Sequence, residues 1–155
     1  MQIQLVPYDS MTACRSLIPR EVYERILRKE AWAIGAYTSE ERGQDTEPAG
    51  VLVYSFAPDV FDNGIRELVI DSVYVEDSYR SNGVATELIR SLEKKALSMG
   101  RIRGISISIP IPELQVAADY FQHRGYLVRV EGNRIYRVPV KGLYYNSQFC
   151  HQGRI

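Results

Sequence analysis

The chain has 155 residues, a length that suits one compact domain, with 45% hydrophobic and 25% charged residues. Lysine plus arginine balances aspartate plus glutamate, 19 against 19, which argues against nucleic acid as a partner, since phosphate backbones select basic excess. No apolar run approaches the roughly 20 residues of a membrane span, and residues 1–10 lack the basic and apolar segments of a secretion signal, so neither a membrane nor export is expected and the expected location is cytoplasmic.

In chain order, 3–6 reads as a short strand, and Ser10 is placed to cap a first helix over 11–17. Pro19 suits the start of a second helix over 20–29, with Val22, Ile26 and Lys29 on one stripe and Tyr23 and Leu27 beside it. Two strands, 31–38 and 49–56, flank the polar stretch 39–48 and form a hairpin with a long loop. A turn over 57–64 leads into the strongest strand, 66–75. A third helix over 83–99 repeats Val84, Leu88, Leu92 and Ala96 every four residues and ends at Gly100. Residues 102–109 alternate isoleucine with glycine or serine and form a strand that Pro110 and Pro112 stop. A helix over 113–124, closed by Gly125, precedes two strands, 126–131 and 134–140. The tail 141–155 carries Leu143, Tyr144, Tyr145 and Phe149, too apolar for a free tail, and is expected to pack on the domain or on a partner subunit.

Cys14 and Cys150 lie far apart without a CxxC neighbour, so no disulfide framework is expected. Two histidines, His123 and His151, do not make a zinc site without several carboxylates, and no metal is expected.

The sharpest local feature is Arg80-Ser81-Asn82-Gly83-Val84-Ala85, between a strand and a helix. A helix start presents backbone N–H groups with no internal partner, and the macrodipole adds positive potential there. A phosphate sits on such groups directly. Gly83 lets a ligand approach the backbone, Ala85 is small enough for the same purpose, and Arg80 adds a permanent charge. A plain helix start is the alternative reading of these six residues taken alone.

The pattern Arg80-x-x-Gly83-x-Ala85, after the strand Ile70-Asp71-Ser72-Val73-Tyr74-Val75, resembles motif A of the GNAT superfamily of N-acyltransferases. The element order agrees: strand, two helices, three strands, helix, strand, helix, two strands. The segment from Ala117 to Tyr126, a helix ending in Gly-Tyr, resembles that family's later motif. The resemblance covers residues 1–140 and implies one GNAT-like α/β (α+β) domain. Its central sheet would be mixed, mostly antiparallel and of about seven strands, with about four flanking helices. It further implies acetyl-CoA as cosubstrate. The pantetheine arm would run beside Val73, Tyr74 and Val75. The pyrophosphate would lie on Asn82, Gly83, Val84 and Ala85, with Arg80, Ser81 and Thr86 close by. The implied reaction moves an acetyl group to a primary amine of a small molecule or peptide, and a homodimer is compatible with it.

Acyl transfer to an amine needs a base to take the ammonium proton and an acid for the departing thiolate. Glu67, at the start of the central strand, matches the position of the glutamate in the family's histone-acetylating branch and is the candidate base, with an ordered water as the alternative. A solvated glutamate paired with Arg66 or another cation is the plainer reading. Asp71 shares the face of Glu67 on a regular strand but lies about 13 Å along it, too far for a close pair. It is either a contact for the substrate amine or a buried structural carboxylate. Where the family often carries a tyrosine acid, this chain has Phe121, and Leu114 replaces the asparagine that often opens the same helix. Tyr120 is the candidate acid beside Phe121, although one residue turns a helix by about 100°. Tyr126, Tyr136, Ser108 or water are its substitutes. A degenerate GNAT-like module that binds CoA or serves assembly is the alternative function.

Overall fold

The structure, a computed structural model, describes residues 2–6, 17–37, 48–58, 64, 66–79, 83–107, 122–123, 129–131 and 134–138. They belong to two compact units, Met1–Ser55 with Asp71–Lys94 and Phe56–Ile70 with Lys95–Ile155.

In the first unit, β1 (Gln2–Leu5), β2 (Trp32–Tyr37) and β3 (Gly50–Phe56, of which Phe56 falls in the second unit) pair antiparallel in that order. The pairing registers Leu5 with Ile34 and Ala33 with Val53. Every residue of β3 from Gly50 to Ser55 is buried, so this strand is covered on both faces. Ala33, Val51 and Val53 share one face and join Ile26 of α1 (Arg20–Leu27) in a core cluster, with Val6, Leu17, Ile18 and Tyr37. Leu52 lies on the opposite face with Gly50, whose α-carbon looks toward Val84 and Leu88 of α2 (Val84–Met99). Leu88, Ile89 and Leu92 of that helix are no more than 1% exposed, and each such side chain contributes about 1.5–3 kcal/mol of transfer free energy.

α1 opens at Pro19, whose fixed φ and missing N–H suit the cap, and stops earlier than the apolar stripe suggested. Arg28 is the C-cap, and Lys29 adopts φ 62°, a left-handed conformation that ends the helix. The expected stripe is therefore narrower. Ile26 is buried and Val22 and Tyr23 pack on the core, while Leu27 and Lys29 are exposed.

In the second unit, the first half of β4 (Arg66–Val75) runs parallel to β5 (Ile102–Ile107). β7 (Arg134–Val138) pairs antiparallel with β5, and β6 (Arg129–Glu131) with β7. Parallel neighbours need a crossover, and the chain makes it through α2, which Gly100 closes at φ 79°. The Arg66 guanidinium donates twice to the Ala57 carbonyl, at 3.1 and 3.0 Å, and lies 4.9 Å over the Phe56 ring.

The expected mixed α+β class is what the structure shows. The helices expected at 11–17 and 113–124 fall outside the described residues except for Leu17, which is buried, and the helical Gln122 and His123.

Candidate functional site

β4 is the element on which the candidate site is built. Leu68 and Ile70 are buried, whereas Asp71, Ser72, Tyr74 and Val75 are half-buried and Val73 is exposed, at 37%. Asp71 Oδ1 accepts a hydrogen bond from Arg25 Nη1 of α1 at 3.0 Å, within an ion pair. The Asp71 side chain is only 11% exposed, and its second oxygen, Oδ2, is buried without a hydrogen-bond partner. Of the two sequence readings of Asp71, the buried structural carboxylate agrees with this geometry, because an oxygen closed off from solvent offers nothing for an incoming amine to touch.

Two observations locate an extra residue in the second half of β4. A regular strand alternates faces, so residues three apart point opposite ways. Yet Asp71 reaches Arg25 of α1, and Tyr74 packs against the cluster that contains Ile26 of α1. Such a bulge disturbs the ladder and re-aims side chains. Its place between Asp71 and Tyr74 accounts for the exposure of Val73.

After β4 the chain turns through a short 3-10 segment, Asp77–Tyr79. It then enters α2 at Gly83, whose carbonyl accepts the Glu87 N–H at 3.0 Å. Gly83 is thus the residue before the first helical turn, and Val84 and Ala85 follow it as the first helical amides. Gly83 has φ +79°, and a β-carbon there would meet no atom of the described residues within 4 Å. Glycine serves here for its conformation, and the conformational demand was not visible in the sequence. Val84 is buried, whereas Ala85 and Thr86 are half-buried. Arg80, Ser81 and Asn82 lie outside the described residues.

Val73, Tyr74, Val75, Val84, Ala85 and Thr86 therefore fall in one unit. The Tyr74 carbonyl and the Val84 side chain meet the same residue, Gly50. Glu67 is half-buried in the other unit, in register with Gly104 of β5. Arg66, the cation next to it, is committed to Ala57 and Phe56. Tyr120, Phe121, Leu114, Ser108 and Tyr126 lie outside the described residues. Two residues of the site escaped the sequence reading, Arg25 and Gly50. The only signal for Gly50 was a glycine opening an apolar strand, which marks a close backbone approach. Among the described residues no helix is long and apolar enough to cross a membrane, and no group of His, Cys, Asp and Glu is placed to hold a metal ion.

A mixed α+β fold with a bulged strand feeding a glycine-led helix is the fold of N-acetyltransferases. The family model for the GNAT acetyltransferase family matches residues 8–126, and the chain belongs to that family. No curated protein matches it by sequence. Among solved structures it is similar to Arabidopsis thaliana NAA60 in complex with acetyl-CoA, at 13% identity and TM-score 0.65, covering 90% of this chain and 97% of that one. It is also similar to the ribosomal-protein-alanine N-acetyltransferase of Brucella melitensis biovar Abortus 2308, at 18% identity and TM-score 0.63, covering 85% and 96%. AtaT complexed with acetyl-methionyl-tRNAfMet aligns at 11% identity and TM-score 0.68, covering 92% and 96%. At these identities the likeness is one of fold.

Proposed function

We propose that the chain transfers the acetyl group of acetyl-CoA to a primary amine of a small molecule or peptide. The observation that carries this reading is the junction of the bulged end of β4 with the glycine-led start of α2, in a chain of the GNAT family. In this reading the backbone at Val73, Tyr74 and Val75 receives the pantetheine arm. Asn82, Gly83, Val84 and Ala85 offer N–H groups to the pyrophosphate, with Arg80, Ser81 and Thr86 beside them. The bound thioester supplies an acyl carbon activated toward attack. Glu67, or a water ordered by it, takes the proton of the acceptor nitrogen. A carbon–nitrogen bond forms, the carbon–sulfur bond breaks, and the thiolate takes a proton from Tyr120 or from water.

The second reading is a module that binds CoA without turnover, and Phe121 in place of the family's tyrosine favours it. A panel of small amines and of peptides with free N-termini, incubated with acetyl-CoA and followed by release of free thiol, separates the two. Acceptor-dependent thiol release and an acetylated product support transfer. Tight CoA binding without acceptor-dependent release supports the module.

A further inference from the structure

Gly50 opens β3, a strand otherwise built of side chains that fill space. It sits in register with Ala36 of β2 and is buried. A β-carbon placed on it would lie 2.8 Å from Val84 Cγ1, 3.0 Å from the Tyr74 carbonyl oxygen and 3.3 Å from Leu88 Cδ1. These atoms belong to the two parts of the candidate site. Tyr74 follows the bulge of β4, and Val84 is the first residue of α2. Beside them, Glu76 N–H donates to the carbonyl of Ala49, the residue before Gly50, at 2.9 Å. One backbone segment of β3 is therefore bonded to the exit of β4 and pressed against the entry of α2.

We infer that Gly50 is a positioning residue that sets the spacing between the pantetheine-binding end of β4 and the pyrophosphate-binding start of α2. The inference rests on the acetyl-CoA reading above. A single ligand held at both ends needs that spacing fixed to a few tenths of an ångström, because hydrogen bonds weaken steeply as they lengthen or bend. Any side chain at position 50 must displace the Tyr74 carbonyl, the first turn of α2, or both. Tight packing passes such a displacement on rather than absorbing it.

Gly35 provides the internal control. A β-carbon there would meet Val6 Cγ2 at 2.5 Å and the Tyr37 ring at 2.9 Å, so it is crowded at least as tightly, but against the residue after β1 and the end of β2 rather than the site. Gly50→Ala is expected to weaken CoA binding in calorimetry by about tenfold, the equivalent of one hydrogen bond. It should also speed amide exchange in the first turn of α2 without CoA. Gly35→Ala should lower the melting temperature and leave CoA affinity and that exchange near wild type. Gly50→Ala/Val84→Ala removes the 2.8 Å contact and keeps the fold accessible if the single variant is too unstable. It should bind more tightly than Gly50→Ala and less tightly than Val84→Ala alone, since the carbonyl contact remains. Equal loss of affinity in the Gly35 and Gly50 variants, or wild-type affinity and exchange in Gly50→Ala, overturns the inference. A wild-type chain that binds no CoA overturns the acetyl-CoA reading instead, and the exchange comparison still decides whether Gly50 sets the start of α2.

Discussion

Arg25 of α1 donates through Nη1 to Asp71 Oδ1 at 3.0 Å, and so ties the second helix of the expected pattern to β4 just ahead of its bulge. The two ends of this pair are unequal. Arg25 is 35% exposed and turns to water if released, whereas Asp71 is 11% exposed and already has one buried oxygen without a partner. Arg25→Ala is therefore expected to destabilise the fold by about 1–3 kcal/mol, chiefly by stranding a buried carboxylate. Adding Asp71→Val to that variant should recover part of the loss, because the stranded charge goes with it. Chemical denaturation of both variants checks this. Additive losses would show that the pair is not the reason Asp71 is tolerated.

Tyr54 is 2% exposed, with its ring 6.1 Å from that of Trp32 at an interplanar angle of 29°. Burial pushes its phenol up to about 12, from an ordinary value near 10. The folded chain therefore holds this proton more tightly than the unfolded chain. The stabilisation is fully present below pH 10 and is lost as the pH rises from 10 toward 12. An ultraviolet titration should find one tyrosine ionising late, together with the onset of alkaline unfolding. Because the chain has eleven tyrosines, Tyr54→Phe assigns the signal by removing it. A late step that survives the substitution belongs to another residue.

If Glu67 takes the proton, Glu67→Gln keeps the shape and removes the base. The expected result is a fall in kcat of about 10²–10⁴-fold with acetyl-CoA affinity nearly unchanged. A kcat near wild type across the pH range moves the role to water or to another carboxylate.

The long elements were legible because their periodicity was strong. β4 lies over Arg66–Val75 as its apolar run suggests, and α2 ends at Gly100 as its four-residue repeat suggests. What stayed hidden was tertiary. Nothing in the order of residues says that Asp71 meets Arg25, 46 positions earlier, and that contact decides between the two readings of Asp71. The bulge was hidden as well, since one extra residue leaves an apolar run looking regular. Leu27 and Lys29 were placed on the core stripe because the helix was extended by periodicity alone, and the left-handed turn at Lys29 cuts it short. The conformation of Gly83 was hidden too, because a positive φ leaves no trace in composition.

A CoA phosphate held at the start of α2 is what the proposed reaction requires first. Titration calorimetry of CoA into the wild-type chain, Gly83→Ala and Gly83→Glu measures this. Alanine meets no atom of the described residues and bears the strain of φ +79°, about 1–2 kcal/mol of stability, so it should fold and bind with modest loss. Glutamate adds bulk and negative charge where the pyrophosphate must lie and should weaken binding by well over tenfold, roughly the loss of more than one hydrogen bond. A folded Gly83→Glu chain that binds CoA as tightly as wild type would contradict the placement of the cosubstrate.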